Sequence, residues 1–230
     1  VNVMKVCWFS AGCSSFIAGW LERDTIDKWI FIDLKNQHPD TMRFLHDCEK
    51  MIGTEIEVIS STKFDSVEDV IKRGGMVNSP FGASCTVHLK KKVRIAWEKE
   101  QFAKGITDLT YVWGMDVSEA DRMDRMIHKY SYAKHCFPLI DRNLSKSDCH
   151  YLIERLGLKR PLMYDLGYNN NNCIGCVKGG KGYWNKIRRD FPETFAKMAK
   201  LEREVGHSCL NGIFLDELDP NDGICPERIE

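Results

Sequence analysis

Between residues 3 and 157, short apolar runs alternate with amphipathic stretches that carry helix-start and helix-stop residues, and few architectures accommodate that alternation. The runs VMKVCWF at 3–9, WIFIDL at 29–34, EIEVIS at 55–60, LTYVWGM at 109–115 and a short one around HCFPLI read as strands. Helices are predicted after each: from Phe16 to Leu21, over 42–53 with Phe44, Leu45, Cys48, Met51 and Ile52 on one face, over 66–74, roughly 86–103, 118–129 and 145–157. Ser66, Ser118 and Ser145, each followed by acidic residues, mark helix starts, and Gly74 and Gly157 mark stops. Strands alternating with helices predict an α/β fold: a Rossmann-like three-layer α/β/α sandwich around a mostly parallel, five-stranded sheet covered on both faces.

After Gly157 the texture changes. PLMYDLGYNNNNCIGCVKGGKGYW is rich in loop residues, two helical stretches run to about residue 204, and the tail carries two further cysteines. A chain of 230 residues accommodates one large core with a small lobe. The expected division is a nucleotide-binding α/β domain over 1–160 and a small cysteine-containing loop and helical extension over 161–230. Lys plus Arg equals Asp plus Glu, 33 of each, so no global field draws in nucleic acid and a polyanion must be held locally. No apolar run reaches the roughly 18 residues of a membrane span, and the first residues lack a basic start followed by an apolar stretch. The expected location is the cytoplasm, where the ten cysteines stay reduced and free for metal or redox chemistry.

The turn Ser10, Ala11, Gly12, Cys13, Ser14, Ser15 lies between the first strand and the first helix. Small residues there leave main-chain N–H groups approachable, and the helix start adds partial positive charge, so the turn suits a phosphate; it equally suits a simple helix cap. In an open parallel sheet ligands sit at the carboxyl ends of strands, which is where this turn falls if the first strand is central. Packing beneath the turn is the competing role for Cys13.

Strand, S-A-G-C-S-S and helix resemble the pyrophosphate loop, SGGxDS, of the adenine-nucleotide alpha-hydrolase superfamily, with Ala11 in place of a glycine and Ser14 in place of the aspartate. Three further blocks resemble its phosphoadenylyl-sulfate reductase branch. FIDLKNQHPDTMRF at 31–44 carries Asp33 at a strand end, before a P-D-T turn. VWGMD followed by SEADRMDR resembles a G-x-R strand end, with Met115 where the arginine belongs and Arg122 or Arg125 left to supply the charge. PLIDRNLSKSDCHYLIERLGLKRPLMYDLGYNNNNCIGC at 138–176 resembles P-L-x-D-W, a helix, P-L-Y, G-Y and C-x-G-C, with Arg142 for the tryptophan. The resemblance covers roughly residues 4–176. It implies an adenine nucleotide (phosphoadenylyl sulfate, adenylyl sulfate or ATP) bound by Ser10 to Ser15, Asp33, Lys90 and Arg122.

Cys173 and Cys176 form a C-x-x-C flanked by glycine, a spacing that lets two thiolates grip one centre. The segment C-T-V-H-L-K resembles the upstream cysteine pair of iron–sulfur reductases, with Cys85 kept, Thr86 in the second place and Lys90 retained. A [4Fe-4S] cluster is normally held by four cysteines, so Cys209 or Cys225 completes the set, or one iron is left open. A structural zinc clasp and plain buried thiols are the alternatives. Cys7, Cys48 and Cys149 read as core. Lys90, followed by Lys91, Lys92 and Arg94, belongs either to a solvated helix face or to a phosphate contact. Cys225, in DGICPERIE, stands where the reductases carry a nucleophilic cysteine, and it requires thiolate character and access to act as one. The expected function is a reductase-like enzyme doing sulfur chemistry beside a cysteine-bound iron–sulfur centre, served by a thiol redox partner. The alternatives are ATP-dependent thiolation of a nucleic-acid base and an inactive nucleotide-binding module.

Overall fold

The computed structural model describes residues 2–78 and 82–223. Five parallel strands, β1 (Asn2–Phe9), β2 (Lys28–Ile32), β3 (Ile56–Ile59), β4 (Ile106–Val112) and β5 (Lys134–Cys136), form one sheet in the order β3-β2-β1-β4-β5. The helices are α1 (Cys13–Glu22), α2 (Asp40–Ile52), α3 (Val67–Gly74), α4 (Lys92–Ala103), α5 (Ala120–Lys129), α6 (Pro138–Asp141), α7 (Lys146–Arg155), α8 (Leu162–Asp165), α9 (Lys181–Asp190) and α10 (Pro192–Val205). The expected α/β sandwich with a five-stranded parallel sheet is thus the observed fold. No helix is long and apolar enough to cross a membrane among the described residues.

Two compact units interleave along the sequence. One comprises Val1–Asp33, His38–Ile59 and Ile95–Asn171; the other Leu34–Gln37, Ser60–Arg94 and Asn172–Glu230.

The first unit holds the sheet. β1 pairs with β2 through Cys7↔Trp29 and with β4 through Cys7↔Val112, so its carboxyl end opens at the middle of the sheet. Because side chains alternate along a strand, Cys7, Phe9, Trp29, Phe31 and Val112 enter one core with Phe16 and Ile17 of α1, Phe44 and Leu45 of α2, and Cys149 and Ile153 of α7. Val6, Trp8, Ile30, Leu109 and Tyr111 enter the other, with Trp97 of α4 and Met123 and Met126 of α5. Burial on both faces is why these strands read as nearly continuous apolar runs. Cys7, Cys48 and Cys149 are core residues, as expected.

Three local expectations need correction. The strand predicted over 109–115 runs from Ile106 to Val112, because pairing with β1 ends at Val112 and Gly114 then passes over α1. HCFPLI is half strand: Pro138 opens the short helix α6, its missing N–H costing nothing at a helix start. The basic stretch after Cys85 begins with a π-helical turn, Thr86–Lys91, before α4.

In the second unit α10 packs on α9 and α3. Trp184 is fully enclosed, and the fully buried Glu202 carboxylate accepts the N–H groups of Cys209 and Leu215 (the latter at 2.7 Å).

Candidate functional site

The phosphate loop belongs to the first unit. Gly12 is the extended residue before α1, and Ala11 has φ +57°. That left-handed conformation costs an L-residue roughly 1–2 kcal/mol. The Ser15 hydroxyl is the hub: it accepts the N–H groups of Ser10 (3.1 Å) and Gly12 (3.4 Å) and the Ser10 hydroxyl (3.0 Å), and donates to the Gly12 carbonyl. Among the described residues no N–H of Ser10–Ser15 is given to a main-chain carbonyl. The amides of Ser10, Gly12 and Cys13 are thus held by hydroxyls, which a phosphate oxygen can replace. The Ser14 hydroxyl turns to the Cys149 thiol, which burial pushes up to about 11. Cys13 is 1% exposed, packed beneath the loop, and burial pushes its thiol up to about 12.

Residues distant in sequence fix this loop. Asn171, 6% exposed, donates from Nδ2 to the Ala11 carbonyl (2.8 Å) and to Thr41 Oγ1 (3.2 Å). The Tyr164 hydroxyl accepts the Cys13 N–H at 3.4 Å, and burial raises its pKa. His150 meets the Tyr164 ring edge-on at 4.6 Å. Gly114 comes so close that a Cβ would lie 2.3 Å from Ser15 Cα. Arg43 ties together Asp40, Asp47 and the carbonyls of Lys159 and Arg160, and Asp40 accepts the Leu162 N–H (2.8 Å), anchoring the segment that leads into Tyr164.

Two outcomes follow. In Asn171→Ala the Ala11 carbonyl and the Thr41 hydroxyl lose a buried partner, and stability falls by about 1–3 kcal/mol, read as a lower denaturant midpoint. The second concerns acid. Hydrogen bonding to Arg43, more than the Leu162 amide, holds Asp40 down to about 2 from its ordinary 3.8. A depressed carboxylate contributes stability above its unfolded pKa and loses it as pH falls through the folded one. Asp40→Asn is therefore less stable than the parent by a constant amount above about pH 5, and the gap narrows as pH falls from there through about 2 in parallel urea titrations.

Asp33 directly follows β2 at the carboxyl edge of the sheet, its N–H donating to Ile59 O at 2.8 Å. Arg122 lies on α5 with its guanidinium on Glu119, and its side chain is 56% exposed; the structure does not bring it to the loop by any contact.

The second unit holds the four cysteines expected to bind metal. Cys85 and Cys209 are buried, and Cys173 and Cys176 are partly exposed. Their thiols lie within electrostatic reach of one another: Cys85, Cys173 and Cys209 each sense Cys176, and Cys173 and Cys209 also sense Cys85. Burial pushes Cys173 up to about 12 and raises Cys85 and Cys209, while Lys178 and Lys90 oppose the rise at Cys85 and Lys90 opposes it at Cys173. Lys90 itself is exposed on the π-helical turn. Among the described residues no three His, Cys, Asp or Glu side chains are placed to hold a single metal ion. The Tyr183 hydroxyl staples the C-x-x-C segment, accepting the Cys176 N–H at 2.8 Å and donating to the Cys173 carbonyl at 3.2 Å. Gly179 makes room for it, since a Cβ there would lie 1.9 Å from the Tyr183 ring. Cys225 lies outside the described residues.

Comparison of the sequence with family models and with curated proteins returns no match. Among solved structures the fold is similar to that of phosphoadenylyl-sulfate (PAPS) reductase from Candida auris, determined as a phosphate complex. The TM-score is 0.52 at 17% identity, over 75% of this chain and 81% of that one. The likeness is one of fold.

Proposed function

We propose that this chain is a PAPS-reductase-like enzyme that seats the phosphates of an adenine nucleotide on Ser10–Ser15 and performs sulfur chemistry at a [4Fe-4S] centre held by Cys85, Cys173, Cys176 and Cys209. The observation that carries the reading is the loop itself: a left-handed Ala11 tied down by Asn171, with amides given to exchangeable hydroxyls at the start of α1.

The donor set fits the proposed centre in kind. All four are thiols of one unit, and four cysteines are the usual holders of a [4Fe-4S] cluster. When bound, such a cluster would supply electron transfer. The chain's own contributions are positional. Ser15 and Asn171 keep the loop shaped for an anion, Tyr183 and Glu202 hold the segments carrying Cys173, Cys176 and Cys209, and Lys90 and Lys178 favour thiolates at Cys85. With Ser14 turned to Cys149, the loop offers no carboxylate of its own, which favours a sulfonucleotide over cleavage of ATP. A thiol of a separate redox partner would complete turnover.

Calorimetry with phosphoadenylyl sulfate and with ATP, followed by an assay for sulfite, tests the reading. Tighter binding of the sulfonucleotide with sulfite release supports it. Pyrophosphate release from ATP in the presence of RNA or DNA replaces it with base thiolation, and binding without turnover of either compound replaces it with an inactive module.

A further inference from the structure

On the sheet face covered by α4 and α5 the aromatic rings form a continuous series within the first unit. Trp97 meets Trp8 at 5.4 Å between ring centroids, Trp8 meets Tyr111 at 5.7 Å, and Tyr111 meets Trp113 at 5.8 Å. Trp113 stacks on Tyr130 at 6.1 Å, and Tyr130 meets Tyr132 at 6.2 Å. Trp8 lies near the carboxyl end of β1, two positions before Ser10, and the series ends at Tyr132, which is 51% exposed.

Apolar burial explains the rings; it does not explain the bases placed along them. The Glu98 carboxylate, 4% exposed, accepts the Tyr111 hydroxyl at 2.6 Å on one oxygen and the Tyr132 hydroxyl at 2.8 Å on the other. A buried carboxylate is a costly filling for a core. The Trp113 indole N–H faces His135 Nδ1 at 3.0 Å, and His135 Nε2 faces the Tyr130 carbonyl at 2.9 Å. A carbonyl only accepts, so Nε2 carries the hydrogen and Nδ1 is left to accept from the indole. Trp97 differs: its buried Nε1 has no hydrogen-bond partner among the described residues. An oxidised Trp97 therefore has no base to take its proton, while Tyr111, Trp113 and Tyr132 each have one.

We propose that this series conducts a one-electron hole from the phosphate-loop end of the sheet to the surface at Tyr132. A one-electron oxidant of the peroxyl or sulfur-oxyl radical class takes an electron from Trp8 or Trp97 and leaves as its anion. Tyr111 refills that ring and passes its phenolic proton to Glu98. Trp113 refills Tyr111, which recovers the proton from Glu98, while the indole proton of Trp113 moves to His135. An electron from Tyr132 then passes across the Tyr130 ring to Trp113, which takes its proton back from His135, and the hole rests on Tyr132 with its proton on Glu98. A thiolate in solution returns an electron, becoming a thiyl radical, and Glu98 returns the proton. The relay stands independently of the nucleotide reading.

Pulse radiolysis of the full chain with azide radicals, which oxidise indoles, tests it. The expected record is an indolyl absorbance that decays as a phenoxyl absorbance grows, at a rate independent of protein concentration. Tyr132→Phe, a surface change that leaves the core intact, should remove most of the late phenoxyl signal. Trp113→Phe, checked for folding by circular dichroism, should slow its growth severalfold. Tyr151→Phe, which removes a tyrosine 60% exposed in the same unit, should change neither. A phenoxyl signal unaltered by Tyr132→Phe, or one lost in Tyr151→Phe, overturns the proposal whatever Trp113→Phe does.

Discussion

Replacing Gly114 with alanine should cost this protein its nucleotide while leaving most of its fold standing. The added Cβ would lie 2.3 Å from Ser15 Cα and 2.8 Å from Ser15 N, and both are main-chain atoms that cannot rotate aside. Overpacking of this kind costs about 1–3 kcal/mol. The strain falls on the residue whose hydroxyl organises Ser10 and Gly12, so it is expressed in loop geometry. If the loop alone absorbs it, affinity for phosphoadenylyl sulfate drops roughly 5- to 150-fold. Gly74→Ala is the matched control, since nothing lies within 4 Å of its Cβ position and the residue ends a helix. Calorimetry on both variants decides the matter: equal affinities would separate Gly114 from the binding loop altogether.

The second large effect is expected at Cys176. It is half of the C-x-x-C, its N–H held by Tyr183, so on the proposed iron–sulfur reading Cys176→Ser should abolish iron binding and the brown absorbance of anaerobically purified protein entirely. Cys136→Ser, outside this group, should keep both. Tyr183→Phe keeps every thiol but loses the bonds to the Cys176 N–H and the Cys173 carbonyl, and should show an altered cluster spectrum at partial iron content. Colourless parent protein carrying zinc would refute the iron–sulfur assignment, and iron retained in Cys176→Ser would refute the ligand set.

The layered architecture was readable because its signals are local. Ser66 does cap α3, its hydroxyl accepting the Asp69 N–H at 3.1 Å, and Ser145 and Asp148 form a reciprocal cap on α7. The end of β4 was misread because an apolar run does not reveal where its neighbour strand stops pairing; the glycine in WGM was the available clue. The Ser10–Ser15 turn could likewise be found from small residues between a strand and a helix.

What holds the turn in shape could not be found that way. Thr41, Gly114, Tyr164 and Asn171 act across the fold, and only their contacts show their roles. Asn171 sits in a run of four asparagines that reads as low complexity, yet it is the residue that fastens Ala11. The roles of Glu202 and Tyr183 are hidden in the sequence for a related reason: an acid or an aromatic on a helix ordinarily signals a solvated or packing face. Spacing and resemblance single out Cys85, Cys173, Cys176 and Cys209, and one compact unit contains all four.

The bond between Asn171 and Ala11 joins residues 160 positions apart, and this sets a schedule during synthesis. At about 5–20 residues per second, a ribosome needs roughly 8–32 s to make that intervening stretch. Throughout that interval the N-terminal turn has emerged without its fastener. A nascent chain arrested short of residue 171 should therefore show β1 and α1 protected from protease while the turn between them stays open to cleavage.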